Sequence, residues 1–154
     1  EILQELKQSF GDIAAGIKDS SGNWENMLSI TKNVPDFMVY SGTETLLLDI
    51  LREGGAGCIT ASANLLAPEC QQVFQAWNNN QQDAADQAQK KLSVLRKALE
   101  SYPFVSELKG LMAEYSASEN WQQMLPPFTP LLESEIRELS AEIKNNGLDL
   151  NQRL

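Results

Sequence analysis

One lysine stands where it could do covalent chemistry. Lys18 closes the apolar run Ile13-Ala14-Ala15-Gly16-Ile17 and is followed at once by Asp19-Ser20-Ser21-Gly22, which reads as a turn into a helix. An amine held in apolar surroundings has its charged form disfavoured, so the free base becomes available to attack a carbonyl; that is Schiff-base chemistry. The same placement suits a plainer role, in which the chain leaves the core at Lys18 and the ammonium reaches into water. Spacing alone does not separate the two readings. Ser41-Gly42 and Thr60 fall at comparable strand ends. The chain has no histidine, which removes imidazole-dependent triads and most catalytic zinc sites. Cys58 and Cys70 lack metal-ligand spacing and a disulfide framework, and read as free thiols packed as small hydrophobes.

The elements that must position these groups follow from periodicity. With 154 residues, 42% of them hydrophobic, the chain suits one globular unit with a sizeable core. Its net charge of −9 would repel a phosphate backbone or an anionic membrane. No apolar run reaches the ~18 residues of a membrane span and no leader pattern opens the chain, so the expected location is the cytoplasm. Ile2, Leu3, Leu6 and Phe10 share one side of an opening helix, and residues 12–18 read as a buried strand. Asn23 precedes a helix carrying Trp24, Met27, Leu28 and Thr31, and residues 37–40 give a second strand. Leu47, Leu48, Ile50 and Leu51 belong to a third helix ended by Gly54-Gly55. Residues 57–60 form a third strand, and Pro68 lies near the first turn of a fourth helix.

From about Asn78 only helices follow. Ala88, Leu92, Leu95 and Leu99 stripe a long one, residues 106–115 form a shorter one, and residues 124–131 make a Pro-rich bend. Leu132, Ile136, Leu139 and Ile143 stripe the last helix, which stops at Gly147; the tail beyond gives no signal. Short strands alternating with helices predict a parallel sheet with right-handed crossovers. The pattern fits either a small three-layer domain or a piece of a larger α/β protein, and a start in mid-pattern favours the piece. In such folds functional groups collect at the C-terminal ends of the strands, where Lys18 sits.

Five blocks in register carry a resemblance: GIKDSSG at 16–22, SGTE at 41–44, GGAGCITASAN at 54–64 with Pro68, LKGLMAEY at 108–115 and LPPFTPL at 125–131. Together they resemble the C-terminal half of the dihydrodipicolinate synthase and N-acetylneuraminate lyase family. The resemblance implies strands six to eight of a (β/α)8 barrel over residues 1–78 and a C-terminal helical region over 79–154. It further implies a class I aldolase-type lyase or synthase, commonly a homotetramer, acting on pyruvate or a related 2-oxo acid plus an aldehyde. No metal or organic cofactor is implied.

By position, Lys18 matches the family's Schiff-base lysine. Gly42 and Glu44 match positions facing the variable end of the substrate, and Ile59 and Thr60 match the segment lining the pocket near the 2-oxo acid. Asn64 and Lys109 match positions read as structural. Asp19, next to Lys18 on an alternating strand, points the other way and suits capping or a supporting contact. The carboxylate-binding loop, the proton-shuttling tyrosine and a tyrosine lent by a neighbouring subunit have no counterpart in these residues. The missing N-terminal half is therefore an expected partner, and the chain alone is expected to be inactive and, with an open sheet edge, to associate. Two alternatives stay open: a non-catalytic α/β assembly or regulatory module, and, within the family, a sugar-acid aldolase or dehydratase.

Overall fold

The computed structural model describes residues 1–116 and 118–152. Helix α1 (Ile2–Phe10) leads through a 3₁₀ turn (Gly11–Ile13) into strand β1 (Gly16–Asp19). Then come α2 (Trp24–Asn33), β2 (Met38–Ser41), a 3₁₀ turn (Glu44–Leu46), α3 (Leu47–Arg52) and β3 (Gly57–Cys58). Four further helices follow: α4 (Ala63–Asn78), α5 (Gln82–Ala98), α6 (Phe104–Ser116) and α7 (Glu133–Asn145). The three strands form one parallel sheet in the order β1-β2-β3, as the alternating pattern predicts.

The sheet is dressed on one face only. Alternation sends Ile17 and Val39 to the side of α2 and α3, where they pack with Met27, Ile30 and Ile50 in a small core. The opposite face carries Gly16, Lys18, Met38 and Tyr40 and stays open, with Met38 45% and Ile59 49% exposed. A larger core lies between α3 and the helices after it, with Leu48, Leu66, Leu92, Leu95, Leu139 and Ile143 at its centre. Helix α3 serves both cores: Ile50 faces the sheet while Leu47, Leu48 and Leu51 face α4 and α5.

Several expectations are corrected. The first strand begins at Gly16 rather than residue 12, because a strand needs a partner and β2 starts only after the turn at Pro35-Asp36. Met38 N–H donates to the Ala15 carbonyl at 2.9 Å, and the ladder starts there. Upstream, Ile13 is 87% exposed. The close approach also explains Gly16, since a Cβ there would stand 2.3 Å from the Met38 carbonyl oxygen. The third strand ends at Cys58, although Ile59 N–H still donates to the Ser41 carbonyl at 2.9 Å. Pro68 lies inside α4, not at its first turn, because the Ser62 carbonyl already accepts from Leu65 and Leu66. The unpaired carbonyl that Pro68 creates belongs to the exposed Asn64.

Helix α1 has the expected apolar side but buries none of it; Ile2 is 73% and Phe10 55% exposed. The tail does dock: Gly147 turns the chain at φ +88°, and Leu148 and Leu150 are buried in the large core. Leu132 precedes α7 and is 67% exposed, its N–H taken by the Glu135 carboxylate at 2.7 Å, while Ile136, Leu139 and Ile143 are buried as expected.

Candidate active site

Lys18 is the third residue of β1, on the open face of the sheet near its C-terminal end. The residue after it holds the turn. Asp19 points to the opposite face, is buried, and accepts Ser21 N–H and Asn26 Nδ2, each at 2.7 Å. Burial pushes the Asp19 carboxyl up, but the hydrogen bonds from Ser21 and Asn26 together outweigh it and leave the group below the ordinary 3.8. Asn23 caps α2, accepting Asn26 N–H at 3.0 Å. The loop that releases Lys18 from the sheet is thus fixed by Asp19 and Asn23, and Asp19 has the supporting role expected of it.

Gly42 sits where the loop after β2 crosses the loop after β1. Its N–H donates to the Asp19 carbonyl at 2.7 Å, and an added Cβ would stand 2.8 Å from Ser20 Cα. Through the ladder, Lys18 is paired with Tyr40 and Tyr40 with Gly57. The Tyr40 ring lies over Gly57, 3.8 Å from where a Cβ would be, and its hydroxyl is 3.5 Å from Met38 Sδ. Lys18, Tyr40 and Ile59 therefore share the open face. Tyr40 was not among the expected site residues; only strand register, which the sequence does not display directly, aligns it with Lys18.

Glu44 lies elsewhere. It is 0% exposed and turned away from the open face, toward α5 and the loop after β3. Ser62 Oγ donates to its Oε1, Arg96 Nε is 3.6 Å from the same oxygen, and Oε2 has no hydrogen-bond partner among the described residues. Gln89 of α5 forks onto the same turn, donating to the Glu44 and Thr45 carbonyls at 3.0 and 3.3 Å and accepting Leu48 N–H at 3.0 Å. Thr60 Oγ1 is 2.8 Å from Ser62 Oγ. Ser62, Gln89 and Arg96 are long-range partners that no local motif marks.

Asn64 Nδ2 donates to the Ala61 carbonyl at 2.7 Å, holding the start of α4, and Lys109 Nζ donates to the Gln123 carbonyl, holding the bend after α6. Cys58 and Cys70 are free and half-buried. A hydrogen bond from the Cys70 thiol holds the Cys58 thiol below its usual value and pushes Cys70 above its own.

With this geometry in hand, comparison with known proteins decides the family. The model of the dihydrodipicolinate synthetase family matches residues 1–146. The chain belongs to that family. As a family member it is an α/β chain related to TIM-barrel lyases and synthases. It is 35% identical over 104 residues to the 4-hydroxy-tetrahydrodipicolinate synthase of Listeria monocytogenes, covering 67% of this chain and 36% of that one. A DapA-like lyase of Chloroflexus aurantiacus, itself uncharacterized, is 30% identical over 146 residues, covering 91% and 46%.

Among solved structures, a prophage protein of the dihydrodipicolinic acid synthase family from E. coli K12, in complex with pyruvate, superposes with TM-score 0.85 at 25% identity. That match covers 96% of this chain and 51% of the other. The N-acetylneuraminate lyase of Mycoplasma synoviae shares the fold, with TM-score 0.76 at 19% identity over 88% of this chain and 45% of that one. The chain thus spans 36–51% of the length of these relatives. Among its described residues no helix is long and apolar enough to cross a membrane.

Proposed function

We propose that the protein to which this chain contributes is a Schiff-base-forming lyase or synthase acting on pyruvate or a related 2-oxo acid. The observation that carries the reading is Lys18, at the C-terminal end of β1, on the one sheet face that no helix covers. In this reading β1, β2 and β3 are strands six to eight of a (β/α)8 barrel whose lumen is the open face. Residues 1–78 supply that part of the barrel and residues 79–154 the helical region. Bare apolar groups at Ile2, Phe10, Met38 and Ile59 support it, because all four become buried only when further strands and helices close the barrel.

Lys18, as the neutral amine, attacks the 2-oxo carbon and gives up one proton to the former carbonyl oxygen; that hydroxyl takes a second proton from an acid and leaves as water, and the nitrogen keeps its remaining proton in a cationic imine. The imine draws electrons from the adjacent C–H, which loses its proton to give an enamine; the enamine carbon bonds to an aldehyde carbon, whose oxygen receives the C=O electron pair and a proton as the cationic imine re-forms. Hydrolysis of the resulting imine returns the lysine. Run backward, the same steps cleave a carbon–carbon bond. Gly42 holds the loop beside Lys18 close to the sheet, Ile59 and Thr60 wall the mouth of the pocket, and Glu44, buried against Ser62 and Arg96, holds the turn after β2 rather than facing the substrate. Upstream residues supply the carboxylate-binding loop and proton shuttle. The complete enzyme works in the cytoplasm as a homo-oligomer, a tetramer in this reading.

The test is Lys18→Arg in the complete protein, since a guanidinium stays protonated and cannot act as the amine. Turnover of pyruvate with an aldehyde is expected to vanish while the far-ultraviolet circular dichroism stays that of the parent. Retained turnover contradicts the assignment.

A further inference from the structure

We propose that Cys58 and Cys70 form a peroxide-oxidisable thiol pair, in which Cys58 is oxidised first and Cys70 resolves it into a disulfide that ties β3 to α4. The proposal stands apart from the Lys18 reading.

The two thiols meet because of where their elements point them. Cys58 ends β3 level with the buried Ser41, so alternation turns it to the covered side of the sheet, toward the helices. On α4, Ala63, Ala67, Cys70 and Phe74 recur at helical spacing and line one cleft of about 280 Å³ with Cys58. Ala63 and Ala67 are small, which lets the helix approach the strand. The Cys70 thiol donates a hydrogen bond to the Cys58 sulfur, and both side chains are free and half-buried. Sulfurs already in contact need only a short closing movement to bond. Neither thiol has a part in the chemistry at Lys18.

The pair is chemically unequal. The hydrogen bond from Cys70 favours the Cys58 thiolate and holds that thiol below its usual value, against burial and the Glu44 carboxylate. Cys70 is pushed up by the same bond, by burial and by the negative charges of Cys58, Glu44 and Glu69, and keeps its proton. Cys58 is therefore the attacking sulfur. Its thiolate bonds to one oxygen of hydrogen peroxide, the O–O bond breaks, and the departing hydroxide takes up the proton Cys58 had released. Cys58 is then a sulfenic acid. The Cys70 sulfur attacks the Cys58 sulfur, the S–O bond breaks, and hydroxide leaves with the Cys70 proton as a second water. In all, two thiols lose two electrons and two protons, and the peroxide becomes two waters. The disulfide closes a loop from β3 through Ile59 and Thr60 to α4, which removes freedom from the unfolded chain and stabilises the fold. Because β3 is the last strand of the sheet, a further strand along its free edge would narrow the cleft, and the oxidant must be small. Hydrogen peroxide meets that limit.

The experiment treats the complete protein with hydrogen peroxide, blocks the remaining thiols with N-ethylmaleimide and maps the digest by mass spectrometry. No lysine or arginine lies between Arg52 and Lys90, so one tryptic peptide carries both sulfurs. That peptide is expected to be lighter by two hydrogens, to stay joined after cleavage at Glu69, and to come apart with dithiothreitol. Cys70→Ser is expected to stall at the sulfenic acid, captured on Cys58 by dimedone, whereas Cys58→Ser leaves Cys70 blocked by maleimide and free of dimedone. The urea midpoint of the parent should rise on oxidation and return with dithiothreitol, and neither serine variant should show that shift. A serine variant that fails to fold is replaced by its alanine counterpart, and the map of the parent decides without it. Both thiols blocked by maleimide after peroxide, or a disulfide from either to another cysteine, overturns the proposal. Dimedone on Cys70 in Cys58→Ser, with none on Cys58 in Cys70→Ser, overturns it as well.

Discussion

Gly42 donates its backbone N–H to the Asp19 carbonyl at 2.7 Å, and a Cβ on Gly42 would stand 2.7 Å from that same oxygen. The loops that follow β1 and β2 therefore cross at van der Waals limits, and the crossing sets where β1 ends beside Lys18. Gly42→Ala must push the loops apart. It is expected to cost about 1–3 kcal/mol, as overpacking does, read as a lower urea midpoint at unchanged slope. It should also weaken pyruvate trapping at Lys18. An unchanged midpoint would show that the crossing has slack.

The buried carboxylates give pH dependences of opposite sign. Asp19 is held below its ordinary 3.8, so its contribution to stability is full above that value and is lost as pH falls through the folded-state pKa. Asp19→Asn turns an amide N–H toward the Asn26 donor and is expected to cost about 1.5–3 kcal/mol at neutral pH, a gap that closes in acid. Glu107, 0% exposed, is pushed above its ordinary 4.5 by burial, against a hydrogen bond from Tyr102 N–H at 2.7 Å. Its folded form holds the proton more tightly, so stability declines as pH rises from 4.5 through the folded-state pKa. Glu107→Gln, which still accepts from Tyr102, should flatten that decline. Urea titrations of the complete protein across pH 3–7 read both effects; parallel curves for parent and variants contradict them.

Arg96 faces a carboxylate that has no water to fall back on, since Glu44 is 0% exposed. Its guanidinium also lies 4.3 Å from the Phe104 ring centroid, so the side chain ties α5 to α6 as well as to the turn before α3. Arg96→Met is expected to destabilise by about 3–5 kcal/mol, because one buried charge is left uncompensated. Adding Glu44→Gln should recover part of that loss. A double variant less stable than Arg96→Met alone would show that Glu44 has no need of the guanidinium.

Much of this architecture is legible in residue spacing. Leu47, Leu48, Ile50 and Leu51 all proved buried because a helix between a sheet and a helical layer is apolar nearly all round. Lys18 stood out because an apolar run ending in a lysine and a turn marks a strand's C-terminal end. What escaped notice depends on contacts distant in the chain. Residues 12–15 are apolar enough for a strand, yet β2 offers them no partner. Leu148 and Leu150 carry no periodic signal and are buried only because Gly147 turns them into the core. Glu44 sits in a turn that local rules read as helix capping, while its surroundings come from Ser62 and Arg96, residues of α5 and of the loop after β3.

A covalent imine between the Lys18 amine and a 2-oxo acid can be trapped by reduction. Borohydride is added to the complete protein with pyruvate, the protein is digested, and the peptide containing Lys18 is weighed and sequenced by mass spectrometry. A permanent mass increase on Lys18, dependent on pyruvate, is the predicted result. Labelling of another lysine, or none at all, contradicts the account.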